Sequence, residues 1–319
     1  MRRARFVSTV AAAAAVALSI PLTAVLGQGT PAVAAPSPSP GTGAATTAAG
    51  AAPAAAGQQV CAVTAHGVSG LSGMVATATG YAMINDSQVS KSEIKIFNFD
   101  GACKLKSSTA YPENGAFDPE DLAADATGTL WVADIGDNPP TAGGSGSRRK
   151  TVAVWSLAPG AGQKTVIHRL TYPDPPHDAE AMLINGDGLP IIITKEDEAS
   201  KLGGAAGLYV PTAPLQANNA AGVPLRRAGE VKLPASTTPN PLPVVIRQLI
   251  TGAATSPDRR RVVLRTYSDA YEWDVPDGDV VKAITTGKPR ITPLPNESWG
   301  EAITYSQDGK YFVTVPDNE

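Results

Sequence analysis

Three glutamates occupy one register along this chain, and each opens an apolar segment. Glu120, Glu180 and Glu301 are each followed by a glycine eight positions later. Carboxylate oxygens drawn from several chain segments are the ligands that Ca²⁺ prefers. If folding brings such acids together, their mutual repulsion raises their pKa values unless a cation balances them. The three glutamates therefore predict a divalent-metal site, with Ca²⁺ as the expected ion.

A second group of oxygen-bearing side chains lies in one short loop. Asp134, Asp137 and Asn138 surround Gly136 directly after an apolar run. We expect Asp134 and Asp137 to be further metal ligands, and Asn138 to contact a substrate. The alternative is an Asx-rich turn that caps a strand end, which is a common local structure.

Two other positions could take part in chemistry at the same place. His177 and Asp178 stand just before Glu180, so either could exchange a proton there. His177 could instead be a surface histidine in a loop rich in proline. Trp299 lies two positions before Glu301 and could stack on a sugar or ring, or pack between neighbouring structural units.

The elements that must position these residues repeat along the chain. The register of Glu120, Glu180 and Glu301 recurs more weakly at Ser72 and Thr251, and successive anchors are 48, 60, 71 and 50 residues apart. Each of the first four repeats contains about four short apolar or alternating segments separated by turn residues. Repeats of this length and strand content are typical of β-propeller blades.

We therefore predict an all-β fold, a β-propeller of four-stranded antiparallel blades. A β-sandwich is the alternative, but its strands would follow at short regular spacing without a repeating internal register. Five repeats are detectable, which leaves five or six blades open. The last blade is incomplete, so either the lead-in 59–64 closes the ring or the sequence is part of a longer protein.

Propeller geometry predicts which side chains meet. The residue that opens a blade's first strand and the residues that follow its second strand lie at the same mouth of the central channel. The acidic residues that follow second strands are Asp86, Asp134, Asp137, Glu196, Asp197, Asp269 and Asp317.

The chain ends indicate export. Residues 1–35 have a basic start, an apolar stretch and small residues suited to cleavage, which is the pattern of a signal peptide. Residues 36–58 are rich in Ala, Pro, Ser and Thr and predict a disordered linker, and residues 59–319 form the propeller domain. We expect a secreted monomer with no membrane insertion after signal cleavage.

Cysteine content and charge limit the possible functions. Cys61 and Cys103 are the two cysteines of the chain, and in an exported protein they predict one disulfide. Without the three arginines of the signal peptide, 23 basic residues oppose 29 acidic ones, a formal charge of −6. We therefore expect no nucleic-acid binding, and interpret basic clusters such as Arg148 to Lys150 as solvated turns.

The repeats resemble those of known enzymes. Glu301 to Val315 and Glu120 to Asp134 are similar to repeats of the calcium-dependent gluconolactonase and senescence-marker propellers, the phosphotriesterase-like lactonases and the esterase-like phytase propellers. The resemblance implies that a glutamate opening a blade binds the catalytic metal, and Glu120, Glu180 and Glu301 occupy that position. The Glu-Gly-Pro signature of the lactonase family is absent.

Two functions follow from these observations. One is a metal-dependent hydrolase of ester, lactone or phosphoester bonds at the channel mouth. The other is a non-catalytic secreted propeller that binds a small molecule, glycan or protein at the cell surface, with a structural cation or none. The G-x-S-x-G, H-E-x-x-H and P-loop motifs are absent, which argues against serine-hydrolase, zincin and P-loop chemistry.

Overall fold

The structure is a computed structural model that describes residues 20–26, 57–86, 93–112, 115–138, 148–195, 204–297 and 299–317. These residues form twenty β-strands and two short helices. The strands fall into four-stranded antiparallel units that follow one another along the chain.

The first unit is a meander of β3 (Leu71–Thr77), β4 (Gly80–Asn85), β5 (Lys95–Asp100) and β6 (Leu105–Ala110). The second contains β7 (Pro119–Ala124), β8 (Leu130–Asp134), β9 (Val152–Leu157) and β10 (Val166–Thr171). The third contains β11 (Ala179–Ile184), β12 (Pro190–Thr194), β13 (Ala206–Pro211) and β14 (Val223–Val231). A short parallel pairing of β10 with β14 joins the second and third units into one eight-stranded sheet.

The fourth unit contains β15 (Ile250–Thr255), β16 (Arg261–Thr266), β17 (Asp269–Asp274) and β18 (Arg290–Pro293). Helix α1 (Val244–Arg247) precedes it, and helix α2 (Val280–Thr286) connects β17 to β18. The Asp279 side chain accepts a hydrogen bond from the Lys282 backbone N–H and so caps the start of α2.

The fifth unit combines strands from the two ends of the chain. Its order is β19 (Gly300–Tyr305), β20 (Tyr311–Pro316), β1 (Ile20–Leu26) and β2 (Gln58–Val63). The lead-in that was expected to close the ring therefore lies in this sheet, with β1 between it and β20. Strand β1 falls within the predicted signal peptide, whereas the rest of residues 1–35 and the predicted linker up to residue 56 lie outside the described residues.

The first hairpins of the second, third and fifth units turn at the predicted glycine. Gly128, Gly188 and Gly309 have φ angles of 83°, 82° and 69°, a left-handed conformation that glycine adopts without steric cost. In the fourth unit Arg259 takes this place with φ 57°. The local sequence thus specifies the hairpins.

The first strands contact one another in the order β3, β7, β11, β15 and β19, and β19 in turn contacts β3. Separate apolar clusters fill the spaces between successive units. Between the first two units, for example, Ile84 and Ile96 pack with Leu122, Val132 and Trp155. The all-β prediction is confirmed, and the arrangement is consistent with the predicted β-propeller.

A disulfide joins the fifth unit to the first unit. Cys61 of β2 bonds to Cys103, which follows β5, and their Cα atoms are 5.8 Å apart. The predicted pairing is confirmed. Within the residues that the structure describes, no helix is both long enough and apolar enough to span a bilayer.

Candidate functional site

The repeated register of the sequence corresponds to one backbone irregularity in every unit. In each pairing of a first strand with its second strand, the register shifts by one residue near the start of the strand. The extra residues are Ser72, Glu120, Glu180, Thr251 and Glu301, and all five are buried. A β-bulge of this kind re-aims the side chain of the extra residue. The five bulges therefore form a ring of equivalent positions.

A second ring of equivalent positions follows the second strands. The residues one place beyond the last paired residue of each second strand are Asp86, Ile135, Lys195, Tyr267 and Asp317. The backbone N–H groups of Asp86, Lys195 and Asp317 donate to the carbonyls of Gly70, Asp178 and Trp299, which lie two residues before the bulges. These bonds hold the end of each second strand beside the start of the first.

Three carboxylates meet where the first and fifth units adjoin. Asp86, Glu301 and Asp317 each offer an oxygen within 4.8 Å of the others, and all three are buried. The Glu301 Oε2 atom has no hydrogen-bond partner among the described residues. We call these three residues the seam cluster. Hard oxygen atoms at this separation, one of them buried and unpartnered, fit a Ca²⁺ ion.

Glu120 belongs to the same acidic region. The Ser72 hydroxyl lies 2.8 Å from the Glu120 carbonyl oxygen and 3.2 Å from its Oε2, and donates to them from the neighbouring unit. Burial raises the pKa of Glu120 well above its ordinary value, and the charges of Glu180, Asp118 and Glu301 raise it further. The carboxyl is thus held among other acids without a cation of its own in the described residues.

Glu180 is paired with a lysine. The Lys195 ammonium lies 2.6 Å from Glu180 Oε1, and both side chains are largely buried. Burial raises the pKa of Glu180 to about 7 although Lys195 opposes the shift. Burial disfavours the charged form of Lys195, but the Glu180 carboxylate outweighs this effect and raises the pKa of Lys195 well above its ordinary value.

Glu301 is in the same electrostatic environment. Burial raises its pKa well above the ordinary value, Glu180 and Asp317 add to the shift, and Lys195 opposes it. The Tyr267 hydroxyl lies 3.5 Å from Glu301 Oε1 as a distant donor. Glu120, Glu180 and Glu301 are therefore brought to one region: Glu180 and Glu301 raise the pKa of Glu120, and Glu180 raises the pKa of Glu301.

Asp134 and Asp137 are engaged by arginines. Asp134 Oδ1 lies 2.9 Å from the Arg149 guanidinium, and Trp155 Nε1 donates to Oδ2 at 3.0 Å. Asp137 Oδ2 lies 3.1 Å from Arg148 Nε. The two arginines are therefore largely buried ion-pair partners, and the interpretation of their cluster as a solvated turn was wrong for them.

His177 and Asp178 lie in different surroundings. The His177 Nε2 atom is 3.0 Å from Asp174 Oδ1 and 2.9 Å from the Tyr209 hydroxyl. Asp178 Oδ1 accepts the Asp137 backbone N–H at 2.8 Å, and its charge raises the pKa of Glu180. Asp178 thus acts electrostatically on Glu180, whereas His177 packs against the Tyr172 and Tyr209 rings.

The two predicted substrate contacts are both exposed. Asn138 is exposed in the loop that follows β8. Trp299 is 42% exposed, has φ 50° and meets the Tyr267 ring edge-on with centroids 5.6 Å apart. Its backbone position beside Asp317 places this ring at the rim of the mouth.

One further acid expected after a second strand, Asp269, does not join the seam cluster but accepts a hydrogen bond from the Thr238 hydroxyl. Glu196 and Asp197 lie outside the described residues. Lys195 and Tyr267 were missed because only acids were sought after the second strands. Counting one residue past each predicted second strand would have found both.

We call the region formed by Glu120, Glu180, Lys195 and the seam cluster the acidic mouth. Its carboxylates outnumber the ammonium group that faces them, so the fold is stabilised by added protons or by a bound cation. The arrangement combines oxygen ligands with a buried Glu–Lys pair. Such a set can bind a divalent cation and exchange a proton beside it.

Comparison with known proteins gives no sequence family for this chain. No family model matches it, and no curated protein matches it. Among solved structures, a periplasmic gluconolactonase from Pseudomonas aeruginosa matches with a TM-score of 0.45 and 15% identity over 74% of this chain and 60% of that chain. The match thus spans about three-fifths of that gluconolactonase.

Two further solved structures are similar at a comparable level. A gluconolactonase from Xanthomonas campestris matches with a TM-score of 0.38 and 15% identity, over 74% of this chain and 68% of that one. A virginiamycin B lyase from Staphylococcus aureus matches with a TM-score of 0.36 and 10% identity, over 78% and 95% of the two chains.

Proposed function

We propose that this chain is a secreted Ca²⁺-dependent hydrolase that acts on a lactone, ester or phosphoester at the acidic mouth. The observation that carries the proposal is the seam cluster, in which Asp86, Glu301 and Asp317 converge within 4.8 Å. The buried, unpartnered Glu301 Oε2 supports a cation at this point rather than a network of hydrogen bonds.

The seam cluster would hold the ion, and Glu120 would face it as a further acid. A bound divalent cation polarises a carbonyl or phosphoryl oxygen and lowers the pKa of coordinated water. The lactone, ester and phosphoester classes are chosen because their oxygens suit a hard cation, and because the Glu120 and Glu301 repeats resemble lactonase propellers.

Other residues of the mouth would position the substrate and move protons. Glu180 has a pKa near neutrality, and Lys195 lies 2.6 Å from its Oε1, so this pair can exchange a proton with a reacting oxygen. Asp178 modulates Glu180 through its charge. The exposed Trp299 ring would cover one side of a bound substrate.

The test is turnover with controlled metal content. Purified protein is assayed on panels of aliphatic lactones, aryl esters and aryl phosphates, with added Ca²⁺ and with excess chelator. We expect turnover that requires Ca²⁺ and that falls at least about a hundredfold in Glu301→Gln and Glu120→Gln. Turnover that survives both the chelator and these substitutions would sink the proposal.

A non-catalytic carbohydrate-binding propeller is the second candidate, favoured by the exposure of Trp299 at the rim. An aromatic ring in this position can stack on the apolar face of a sugar. In that case Ca²⁺ raises the melting temperature without turnover, and Trp299→Ala abolishes glycan binding. The matched control is Trp299→Phe, which keeps an aromatic face.

We also propose that the protein is exported as a monomer and that the ring has five blades. Signal cleavage would remove β1 (Ile20–Leu26), so that β2 (Gln58–Val63) is the N-terminal strand left to complete the fifth blade. The disulfide supports an oxidising compartment. Intact-mass measurement of protein from the culture medium tests export, with an expected start near residue 36. A mass that retains the first 35 residues would contradict cleavage at that site.

A further inference from the structure

A cleft lies on one face of the second unit, outside the acidic mouth. Strands β9 and β10 pair with Trp155 opposite Ile167 and Ala153 opposite Arg169, so these side chains share one face of the sheet. This face and the segment around Phe117 enclose a cleft of about 420 Å³. A volume of this size suits a small organic molecule.

The cleft carries an excess of positive charge. It is lined by Arg149, Lys150 and Arg169 and by one carboxylate, Asp134. Arg149 already pairs with Asp134 at 2.9 Å. Lys150 and Arg169 have no carboxylate within ion-pair distance among the described residues, so two cations of the cleft remain uncompensated.

A buried hydroxyl in the same cleft lacks a partner. Thr165 lines the cleft and is 4% exposed, and its Oγ1 atom has no hydrogen-bond partner among the described residues. Buried polar groups in folded proteins are almost always hydrogen-bonded. A molecule bound in the cleft would supply the missing hydrogen-bond partner.

An apolar surface also borders the cleft. The Phe117 ring is 54% exposed although it borders the cleft, and the Arg149 guanidinium lies 5.5 Å from its centre. Ile167 adds a further apolar surface. A large aromatic side chain left this exposed beside a cavity is typical of a ligand contact.

We propose that this cleft is a second binding site, specific for an organic anion with an aromatic or other apolar ring. The carboxylate or phosphate group of the ligand lies between Lys150 and Arg169 and accepts a hydrogen bond from the Thr165 hydroxyl. The ring of the ligand packs on Phe117 and Ile167. The site is opposite in charge to the acidic mouth. It therefore selects a different ligand group from the one that the mouth would hold.

Calorimetric titration of the full chain with four probes tests the proposal: benzoate, phenyl phosphate, inorganic phosphate and neutral benzyl alcohol. We expect benzoate or phenyl phosphate to bind saturably, and the better of the two identifies the anionic group. Inorganic phosphate and benzyl alcohol should each bind at least about tenfold more weakly, because phosphate lacks the ring and benzyl alcohol lacks the negative charge.

The variants Lys150→Gln and Arg169→Gln should each weaken the better probe by about tenfold, since each removes a charge-assisted contact. Lys232→Gln and Arg260→Gln, at exposed positions elsewhere, are matched controls and should leave affinity unchanged. Phe117→Ala should weaken phenyl phosphate but not inorganic phosphate.

Thr165→Val should change stability and affinity in opposite directions. It should raise the melting temperature of the free protein, because an unpartnered buried hydroxyl is removed, and it should weaken probe binding. Binding should also persist in Glu301→Gln and in excess chelator, which separates this site from the metal proposal. The proposal is overturned if no aromatic anion binds at millimolar concentration, or if the Lys150 and Arg169 variants bind it as tightly as the wild type.

Discussion

The carboxylates of Asp86 and Asp317 meet across the junction of the first and fifth units, with an oxygen of each within 4.8 Å of the other and of Glu301. Asp86 follows the first unit's second strand, and Asp317 follows the last strand of the described chain. Closure of the ring is what creates their contact. Three buried acids at this distance repel one another unless a proton or cation lies between them.

Neutralising one member of the seam cluster should have opposite effects with and without Ca²⁺. Glu301→Gln removes repulsion, so we expect the metal-free variant to gain about 1 kcal/mol and melt roughly 2–4 °C higher than the metal-free wild type. It should also lose most of the stabilisation that Ca²⁺ gives the wild type. Scanning calorimetry with chelator and with millimolar Ca²⁺ measures both effects.

The control for this experiment is Glu230→Gln, because Glu230 is exposed and its partner Arg227 is also exposed. It should change neither the metal-free melting temperature nor the response to Ca²⁺. If Glu301→Gln behaves like this control, the seam cluster is not a cation site.

The metal-free protein should lose stability as the pH rises from about 4.5 to about 7. Burial raises the pKa of Glu180 from 4.5 to about 7, so the folded state binds more protons than the unfolded state across this range. The contribution of Glu180 is present below pH 4.5 and is lost by pH 7, a change on the order of 3 kcal/mol. The raised pKa values of Glu120 and Glu301 act in the same direction.

Urea denaturation at pH 5 and pH 7.5 measures this dependence. The pKa of the exposed Asp308 is lowered to about 2, so its titration falls below the range of the experiment. Saturating Ca²⁺ should flatten the dependence, because the ion replaces the protons. A metal-free protein that is more stable at pH 7.5 than at pH 5 would contradict the expected charge arrangement.

A buried ion pair should be essential to the junction of the fourth and fifth units. Arg265 is fully buried, its Nη2 lies 3.2 Å from Glu297 Oε2, and its Nη1 donates to the Ala302 carbonyl at 2.7 Å. Arg265→Met leaves the buried Glu297 carboxylate with the Thr314 hydroxyl as its one side-chain partner among the described residues, so we expect a loss of about 3–5 kcal/mol.

The double variant Arg265→Met, Glu297→Gln should recover part of this loss, because no unpaired charge remains. Chemical denaturation of the wild type, both single variants and the double variant gives the coupling energy. Equal stability of the two variants would mean that Glu297 is not left as an isolated charge.

A glycine beside the acidic mouth should not tolerate a methyl group. A Cβ atom at Gly136 would collide with the carboxylates of Glu120 and Asp118. Gly136→Ala should therefore displace these acids, lower the melting temperature and weaken the response to Ca²⁺. Gly101→Ala is the control, since no atom lies within 4 Å of a Cβ there, and its effect should stay within about 0.5 kcal/mol.

The local features of this protein could be predicted from its sequence. Glycines at the left-handed turn positions and alternating apolar residues specify the hairpins, because both effects act within a few neighbouring residues. The equivalence of Glu120, Glu180 and Glu301 could be predicted for the same reason, because each lies at the bulge of its own first hairpin. The Cys61–Cys103 pairing followed from the count of cysteines and the expected compartment.

Only the tertiary structure decided which charged groups meet. Asp134 and Asp137 follow a second strand as expected, yet Arg149 and Arg148 engage them from the far end of a loop. Lys195 reaches Glu180 only because β12 ends one residue before it, beside the bulge. These contacts depend on one-residue shifts of register and on closure of the ring. Both are set by packing among units far apart in the chain, and no local pattern of residues encodes them.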